Sequence, residues 1–253
     1  MSKKREMGSS IVPHRSRELV NLERRLFLRQ GLSVGALAML AGCQLTDQES
    51  LQRVLFAMSR WNDRVQGWLF DPKRLAPEYP ESRIDDPFPF NAYYTEDQVR
   101  EIDGGQYRLE LGGMIRDKKR WTLPELYALP QVSQVTRHIC VEGWSAIGKW
   151  GGVRFSEFLE RIGANTTAKY VGFQCADDYS TSIDMATALH PQTLLAFSFA
   201  DEELPPKYGY PMKLRIPTKL GFKNPKHITA MFVTNEYPGG YWEDKGYNWF
   251  SGN

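Results

Sequence analysis

Hydrophobic positions change their period several times along the chain. Leu51, Val54, Leu55, Met58, Trp61, Val65, Trp68 and Leu69 recur mostly every three or four positions. That spacing predicts an amphipathic helix, ended by Asp71-Pro72, which should pack one apolar stripe against the body of the protein. Five prolines within residues 71–90 exclude regular structure there and predict a wrapping arm. Tyr107, Leu109 and Leu111 alternate with polar neighbours and run into Gly112-Gly113, a strand and its turn. Thr122-Leu123-Pro124-Glu125 is a capping box opening a short helix that Pro130 closes. Over residues 135–141 the period is two, placing Val135, Arg137, Ile139 and Val141 on one face and Thr136, His138 and Cys140 on the other. Residues 155–162 read as a short helix ending at Gly163, and 169–175, 194–199, 213–216 and 228–234 as strands. Many short strands, few short helices and no regular βαβ alternation predict an α+β protein with a strongly β core.

Composition narrows the class. The 253 residues are 42% hydrophobic and 25% charged, which suits one large or two small globular domains and excludes disorder or a coiled coil. Seven Trp, twelve Tyr and thirteen Phe supply a core large enough to need neither disulfide nor structural metal. The net charge of +2 conceals an asymmetry: residues 1–42 carry eight Lys/Arg and three Glu, leaving the rest at −3. Within that leader, Arg24-Arg25-Leu26-Phe27-Leu28-Arg29 precedes residues 31–42, where Ser33 is the only polar side chain. A basic segment before a short apolar one is the pattern of an export signal, and the paired arginines resemble a twin-arginine (Tat) signal. Twelve residues reach about 18 Å as a helix, short of the roughly 30 Å of a hydrocarbon core. Leu40-Ala41-Gly42-Cys43 also resembles a bacterial lipobox, which makes Cys43 a candidate lipid anchor. The bland alternative is a basic, disordered N-terminus running into a core helix.

The familiar chemical signatures G-x-G-x-x-G, G-x-x-x-x-G-K-[ST], H-E-x-x-H and C-x-x-C are missing, and G-x-S-x-G occurs only as Gly31-Leu32-Ser33-Val34-Gly35 inside the apolar leader. Beyond Cys43 only Cys140 and Cys175 remain, and in an exported protein a Cys140–Cys175 disulfide is one reading of them. The other starts from Arg137-His138-Ile139-Cys140, where Arg and His nearby would favour a thiolate, either nucleophile or soft metal ligand. No His/Asp partner at a recognisable spacing supports a Cys-nucleophile hydrolase. A second feature is positional: residues 204–235 hold no Asp or Glu but include Lys207, Lys213, Arg215, Lys219, Lys223, Lys226 and His227. Such an island suits an anionic group such as a phosphate, with the loop Gly221-Phe222-Lys223-Asn224 offering backbone N–H groups. Alone, it would more simply be a solvated basic sheet edge. Nucleic acid is not the expected partner, because export removes it and the chain past the leader is not basic.

Together these features resemble the sulfite-oxidase-type molybdopterin oxidoreductases, in particular the exported bacterial branch that includes the catalytic subunit of periplasmic methionine-sulfoxide reductase. The resemblance covers about residues 90–250. It rests on Cys140-Val141-Glu142-Gly143-Trp144-Ser145 with Lys149-Trp150-Gly151-Gly152-Val153, and on Leu204-Pro205-Pro206, Gly209-Tyr210-Pro211-Met212-Lys213-Leu214-Arg215-Ile216-Pro217 and Lys219-Leu220-Gly221-Phe222-Lys223. It implies an α+β, β-rich mixed core of the sulfite oxidase molybdopterin-domain type, with short helices and an N-terminal helical arm. The implied layout is an export signal (1–42), a helix and Pro-rich arm (43–95) and a molybdopterin-binding oxidoreductase domain (96–253). The implied cofactor is molybdenum-molybdopterin (Mo-MPT), with Cys140 as the metal ligand and His138 beside it at the catalytic centre. Asn91, Tyr93, Tyr94, Cys175, Tyr208, Lys213, Arg215, Lys223, Asn224 and Lys226 are the implied cofactor contacts. Cys175, Tyr208 and Lys213 depart from the branch, which has Thr, Asn and Arg there, and Lys lacks the planar fork of Arg. The expected activity is oxygen-atom transfer in the periplasm, reducing a small-molecule or protein-bound S- or N-oxide. Electrons would come from a membrane cytochrome or quinone-linked partner, since no haem motif C-x-x-C-H is present. Sulfite oxidation is the alternative within the family, and a non-catalytic lipoprotein binding module stapled by Cys140–Cys175 the alternative outside it.

Overall fold

A computed structural model describes residues 48–252. The paired arginines, the apolar segment 31–42 and Cys43 lie outside the described residues. Compactness divides the chain between Leu55 and Phe56, and the larger unit, from Phe56 on, carries both sheets and the site.

The described strands are β1 (Glu110–Gly113), β2 (Val132–Ile139), β3 (Ser145–Arg154), β4 (Tyr170–Cys175), β5 (Ser180–Asp184), β6 (Leu194–Phe199), β7 (Glu202–Glu203), β8 (Lys213–Arg215) and β9 (Ile228–Thr234). The α-helices are α1 (Gln48–Leu69), α2 (Leu123–Tyr127), α3 (Phe155–Arg161) and α4 (Met185–Ala188). One sheet runs β2-β3-β6-β7 with β8 also on β6, antiparallel throughout. The other runs β1-β9-β4-β5, parallel only between β1 and β9. This is the expected α+β architecture with a β-rich core.

Local chemistry explains the elements. Thr122 caps α2 with the reciprocal Glu125 bond of a capping box. On α3, Phe155, Phe158 and Leu159, followed by Ile162, fall one helical turn apart and are fully buried. They join Trp121, Leu126, Phe173, Phe197, Leu214 and Val233 in the main core. A smaller cluster of Phe88, Ala146, Trp150, Leu204 and Tyr208 underlies the β2–β3 pair. Residues 71–90 form no long element; the Pro-rich arm pairs with β2 at an isolated bridge between Glu78 and Thr136, with the Tyr79 ring under Arg137.

Two expectations change. Strand β3 escaped the sequence reading because Gly148, Gly151 and Gly152 interrupt it and Ile147, Trp150 and Val153 recur every third position. The helix α1 forms, but its expected packing is reversed: the residues that meet the body are polar or small. Asp63 accepts the Phe250 N–H at 2.8 Å, Gln66 accepts that of Gly252 at 3.4 Å, and Gly67 lies against the Phe250 ring. Met58, Trp61, Trp68 and Leu69 face outward. No helix among the described residues is long and apolar enough to cross a membrane.

Candidate active site

Strand β2 points Thr136 and His138 inward and ends one residue before Cys140, which is buried. The Cys140 N–H donates to the Trp144 carbonyl at 2.9 Å and the Gly143 N–H to the Cys140 carbonyl at 3.2 Å, a tight loop that returns the chain into β3. The Asn91 Nδ2 donates to Cys140 Sγ at 3.3 Å. On the other side the thiol lies 3.7 Å from Glu142 Oε2, which also accepts the Trp144 Nε1–H at 2.9 Å. A cavity of about 260 Å³ opens here, lined by Asn91, Tyr93, Cys140, Asp177, Asn224 and Lys226 among others.

The thiolate argument from neighbouring residues fails. Burial pushes the Cys140 thiol up, the Glu142 backbone N–H pulls it down, and the Glu142 carboxylate and Asn91 amide act more weakly in opposite senses. Arg137 is on the far face of β2, over the Tyr79 ring. His138 is held well below its ordinary value by burial and then by Lys213, Arg215 and Lys226, so it is a neutral imidazole. A thiolate at Cys140 needs a metal to displace the proton.

The acid-free window splits in three dimensions. Lys207 pairs with Glu96, Lys219 with Asp184 and Lys223 with Glu243. Lys213, Arg215 and Lys226 are buried with no carboxylate in contact. Arg215 is instead held by neutral acceptors: Thr136 Oγ1 at 3.1 Å, the Arg137 carbonyl at 2.7 Å and Asn224 Oδ1 at 3.2 Å. The Lys226 amine donates to the Lys207 carbonyl at 3.0 Å. Lys213 meets only the face of Trp150, 4.6 Å from its centroid. Burial, then Lys226 and Arg215, holds Lys213 well below the usual lysine value, and burial pushes Lys226 down to about 8. Each buried cation without an anion costs several kcal/mol, so the cluster is built for an anion that completes it.

Other polar atoms are also left unmatched. Both ring nitrogens of His138, Trp150 Nε1 and Arg215 Nε are buried without a partner. The backbone leaves room in the same place. A Cβ on Gly221 would stand 2.6 Å from His138 Nε2 and 3.3 Å from Asn91 Nδ2, and Gly209, at φ 122°, lies against the side chains of Lys226 and Lys213. No group of three or more His, Cys, Asp and Glu able to hold a metal occurs among the described residues. A lone thiol facing a cation cluster therefore fits a cofactor that brings its own metal ligands and its own phosphate. Cys140 would hold the metal, and Lys213, Arg215 and Lys226, steadied by Asn224, the anionic end.

Not every expected contact joins this set. The Lys223 amine is paired with Glu243, which also accepts from Thr181, so the side chain of this expected contact is already engaged within the protein. The Tyr208 hydroxyl donates to the Phe88 carbonyl at 2.6 Å inside the smaller aromatic cluster, a structural bond. Cys175 is a free, buried thiol raised well above its ordinary value by burial, and Cys140 is likewise unbonded, so the disulfide alternative is not realised. The Tyr93 hydroxyl donates to the Asp177 carbonyl and that of Tyr94 to Asp177 Oδ2 at 2.9 Å, so both fix the cavity wall. Sequence reasoning missed Thr136, Trp150 and Asp177 as supports; no local signal marks them, because each acts on residues distant in the chain. A larger cavity of about 540 Å³, lined by Phe70, Arg74, Tyr79, Arg137 and Ile139, contains neither Cys140 nor His138.

Fold and site together fit a protein that binds an anionic cofactor beside a buried thiol. The chain belongs to the family described as "oxidoreductase molybdopterin binding domain", whose model matches residues 96–242. It is 66% identical over 229 residues, 90% of this chain and 87% of the relative, to a protein of Azospira oryzae provisionally named protein-methionine-sulfoxide reductase subunit YedZ1. It is 27% identical over 187 residues, 64% of this chain and 58% of the relative, to the protein-methionine-sulfoxide reductase catalytic subunit MsrP of Xanthomonas axonopodis pv. citri. The chain spans about half the length of the MsrP relatives it matches. Its fold resembles the sulfane dehydrogenase SoxCD of Paracoccus pantotrophus, with a TM-score of 0.51 at 20% identity over 55% of this chain and 40% of that one. The protein is a molybdopterin-dependent oxidoreductase.

Proposed function

We propose that this protein is the catalytic subunit of an exported enzyme that reduces a sulfoxide, with Mo-MPT as cofactor. The carrying observation is the buried Cys140 thiol at a cavity beside the three buried cations that lack a carboxylate. The reductive direction is supported by the names of the relatives. A sulfoxide, two electrons and two protons give the sulfide and water. The cofactor, when bound, supplies the redox-active metal and the site of oxygen transfer.

The chain's own residues do the rest. Cys140 is a soft ligand held in place by Asn91, while Thr136 and Asn224 aim the Arg215 guanidinium at the anionic end. Phe90, Phe222 and Tyr247 give the cavity apolar walls suited to a thioether product. Electrons come from a separate membrane cytochrome or quinone-linked protein. Residues 1–42 are the export signal, residues 43–95 an arm and residues 96–253 the catalytic domain, with Cys43 lipidated in the periplasm.

Metal analysis and paired assays test this reading. The folded protein should carry molybdenum in about equal amount, Cys140→Ser should lose it, and the loaded enzyme should turn over methionine sulfoxide with an artificial electron donor. Turnover of sulfite in its place would assign the oxidative direction; full molybdenum in Cys140→Ser would remove the ligand assignment. Replacing Arg24 and Arg25 with Lys should keep the chain out of the periplasmic fraction.

A further inference from the structure

Apolar exposure on this protein is concentrated. Of the fifteen exposed large hydrophobic side chains among the described residues, nine fall between Leu51 and Leu75. Scattered single residues need no explanation, but a contiguous stripe does. On α1, Met58, Trp61, Trp68 and Leu69 are 62, 65, 82 and 67% exposed. With about 100° of rotation per residue they fall, with half-buried Val65, on one arc of roughly 100°. Asp63, Gln66 and Gly67, which meet the body, are on the opposite side. Leu51, Val54 and Leu55 carry the same spacing toward the N-terminus and are exposed as well.

Charge indicates what covers the stripe. Arg64 borders it on the edge that holds Trp61 and Trp68, with Arg60 a further step round the helix on the side of Gly67; both are exposed, and neither is in an ion pair among the described residues. Asp63, turned to the body, is the only carboxylate in residues 51–69. An apolar arc edged by indoles and a guanidinium group, on a helix whose other exposed charges in this stretch are cationic, matches a membrane interface, where indoles sit at headgroup level and arginines meet lipid phosphates.

We propose that the outward stripe of α1 is a membrane-surface anchor that lies in the interface of an anionic lipid bilayer. The body-facing polar side of the helix then fixes how the catalytic unit is presented to that surface. The inference is independent of the redox reading, because neither metal nor turnover enters its test. One acyl chain anchors a protein only marginally, and a second membrane contact makes attachment stable.

The full chain carrying Cys43→Ser, which removes any acyl anchor, should be sedimented with vesicles of phosphatidylcholine alone and of equal parts phosphatidylcholine and phosphatidylglycerol. Binding to the anionic vesicles should be about tenfold stronger and fall with added salt. In the same background, Trp61→Ser with Trp68→Ser should lose roughly tenfold in binding to either vesicle. Arg60→Gln with Arg64→Gln should abolish the preference for the anionic lipid. Because these side chains face solvent, the variants should keep the parent's circular dichroism and melting temperature. Equal binding by the Trp variant and its parent would overturn the assignment, since the leader would then be the contact. So would a parent that ignores both vesicles, whether it sediments only with protein-containing membranes or forms a dimer that the Trp substitutions dissolve.

Discussion

Lys223 and Lys213 are both fully enclosed, ten residues apart in one acid-free stretch, yet their surroundings are opposite. Lys223 ends on the buried Glu243 carboxylate, with Thr181 completing the group. Lys213 ends on an indole face, next to two other cations and a neutral His138. The first is a finished ion pair that holds the C-terminal segment to the sheet. The second is left by folding without a counter-charge, which is where the proposed cofactor's anionic end would sit. Burial of charge alone does not mark a site; the missing counter-charge does.

The largest test of this contrast is Glu243→Gln. Removing one partner from a buried pair leaves Lys223 uncompensated, and urea unfolding should show a loss of about 3–5 kcal/mol. A loss below ~1 kcal/mol would mean the two lysines are not different in kind.

A pH titration comes next. Burial pushes Lys226 in the folded state down to about 8, whereas the unfolded chain has the ordinary lysine value. Between those values the unfolded state binds more protons, so stability of the cofactor-free protein rises with pH. The contribution is roughly 3 kcal/mol, gained between about pH 8 and 10.5 and wholly absent below about pH 8. Bound cofactor should flatten this slope, which denaturation of loaded and unloaded protein at each pH can read; the same slope in both would place the anion elsewhere.

Gly221→Ala probes the space between the sets. Its Cβ would meet His138 Nε2 at 2.6 Å, and overpacking of this kind costs about 1–3 kcal/mol. The prediction is lower melting temperature together with lower molybdenum content. The smallest effect is on Lys213→Met: the cofactor-free protein should gain about 1 kcal/mol through loss of an unpaired buried amine, while retaining less molybdopterin after dialysis. A variant that is both less stable and fully loaded would show Lys213 to be structural.

Periodicity made much of the fold legible. Strands 194–199 and 228–234 match their predicted bounds, and α2 starts at its capping box, because alternation and caps are local signals. Strand β3 was illegible because its glycines serve close packing against neighbours that no local window contains. At the site, the sequence already paired Cys140 with His138 on one face and marked the window that holds Lys213, Arg215 and Lys226. It did not show that the polar ends of Lys223 and Tyr208 meet Glu243 and the Phe88 carbonyl, both far away in the chain.

Sequence by itself determined most of the element types and the inward face that carries Cys140, since period and residue spacing are properties of the chain, and its family resemblance carried the cofactor class. Tertiary structure alone decided which cations are neutralised, why the Cys140 thiol is raised rather than lowered, and which side of α1 meets solvent. Each of these depends on the distance and desolvation of groups up to 187 positions apart, and a linear pattern carries neither.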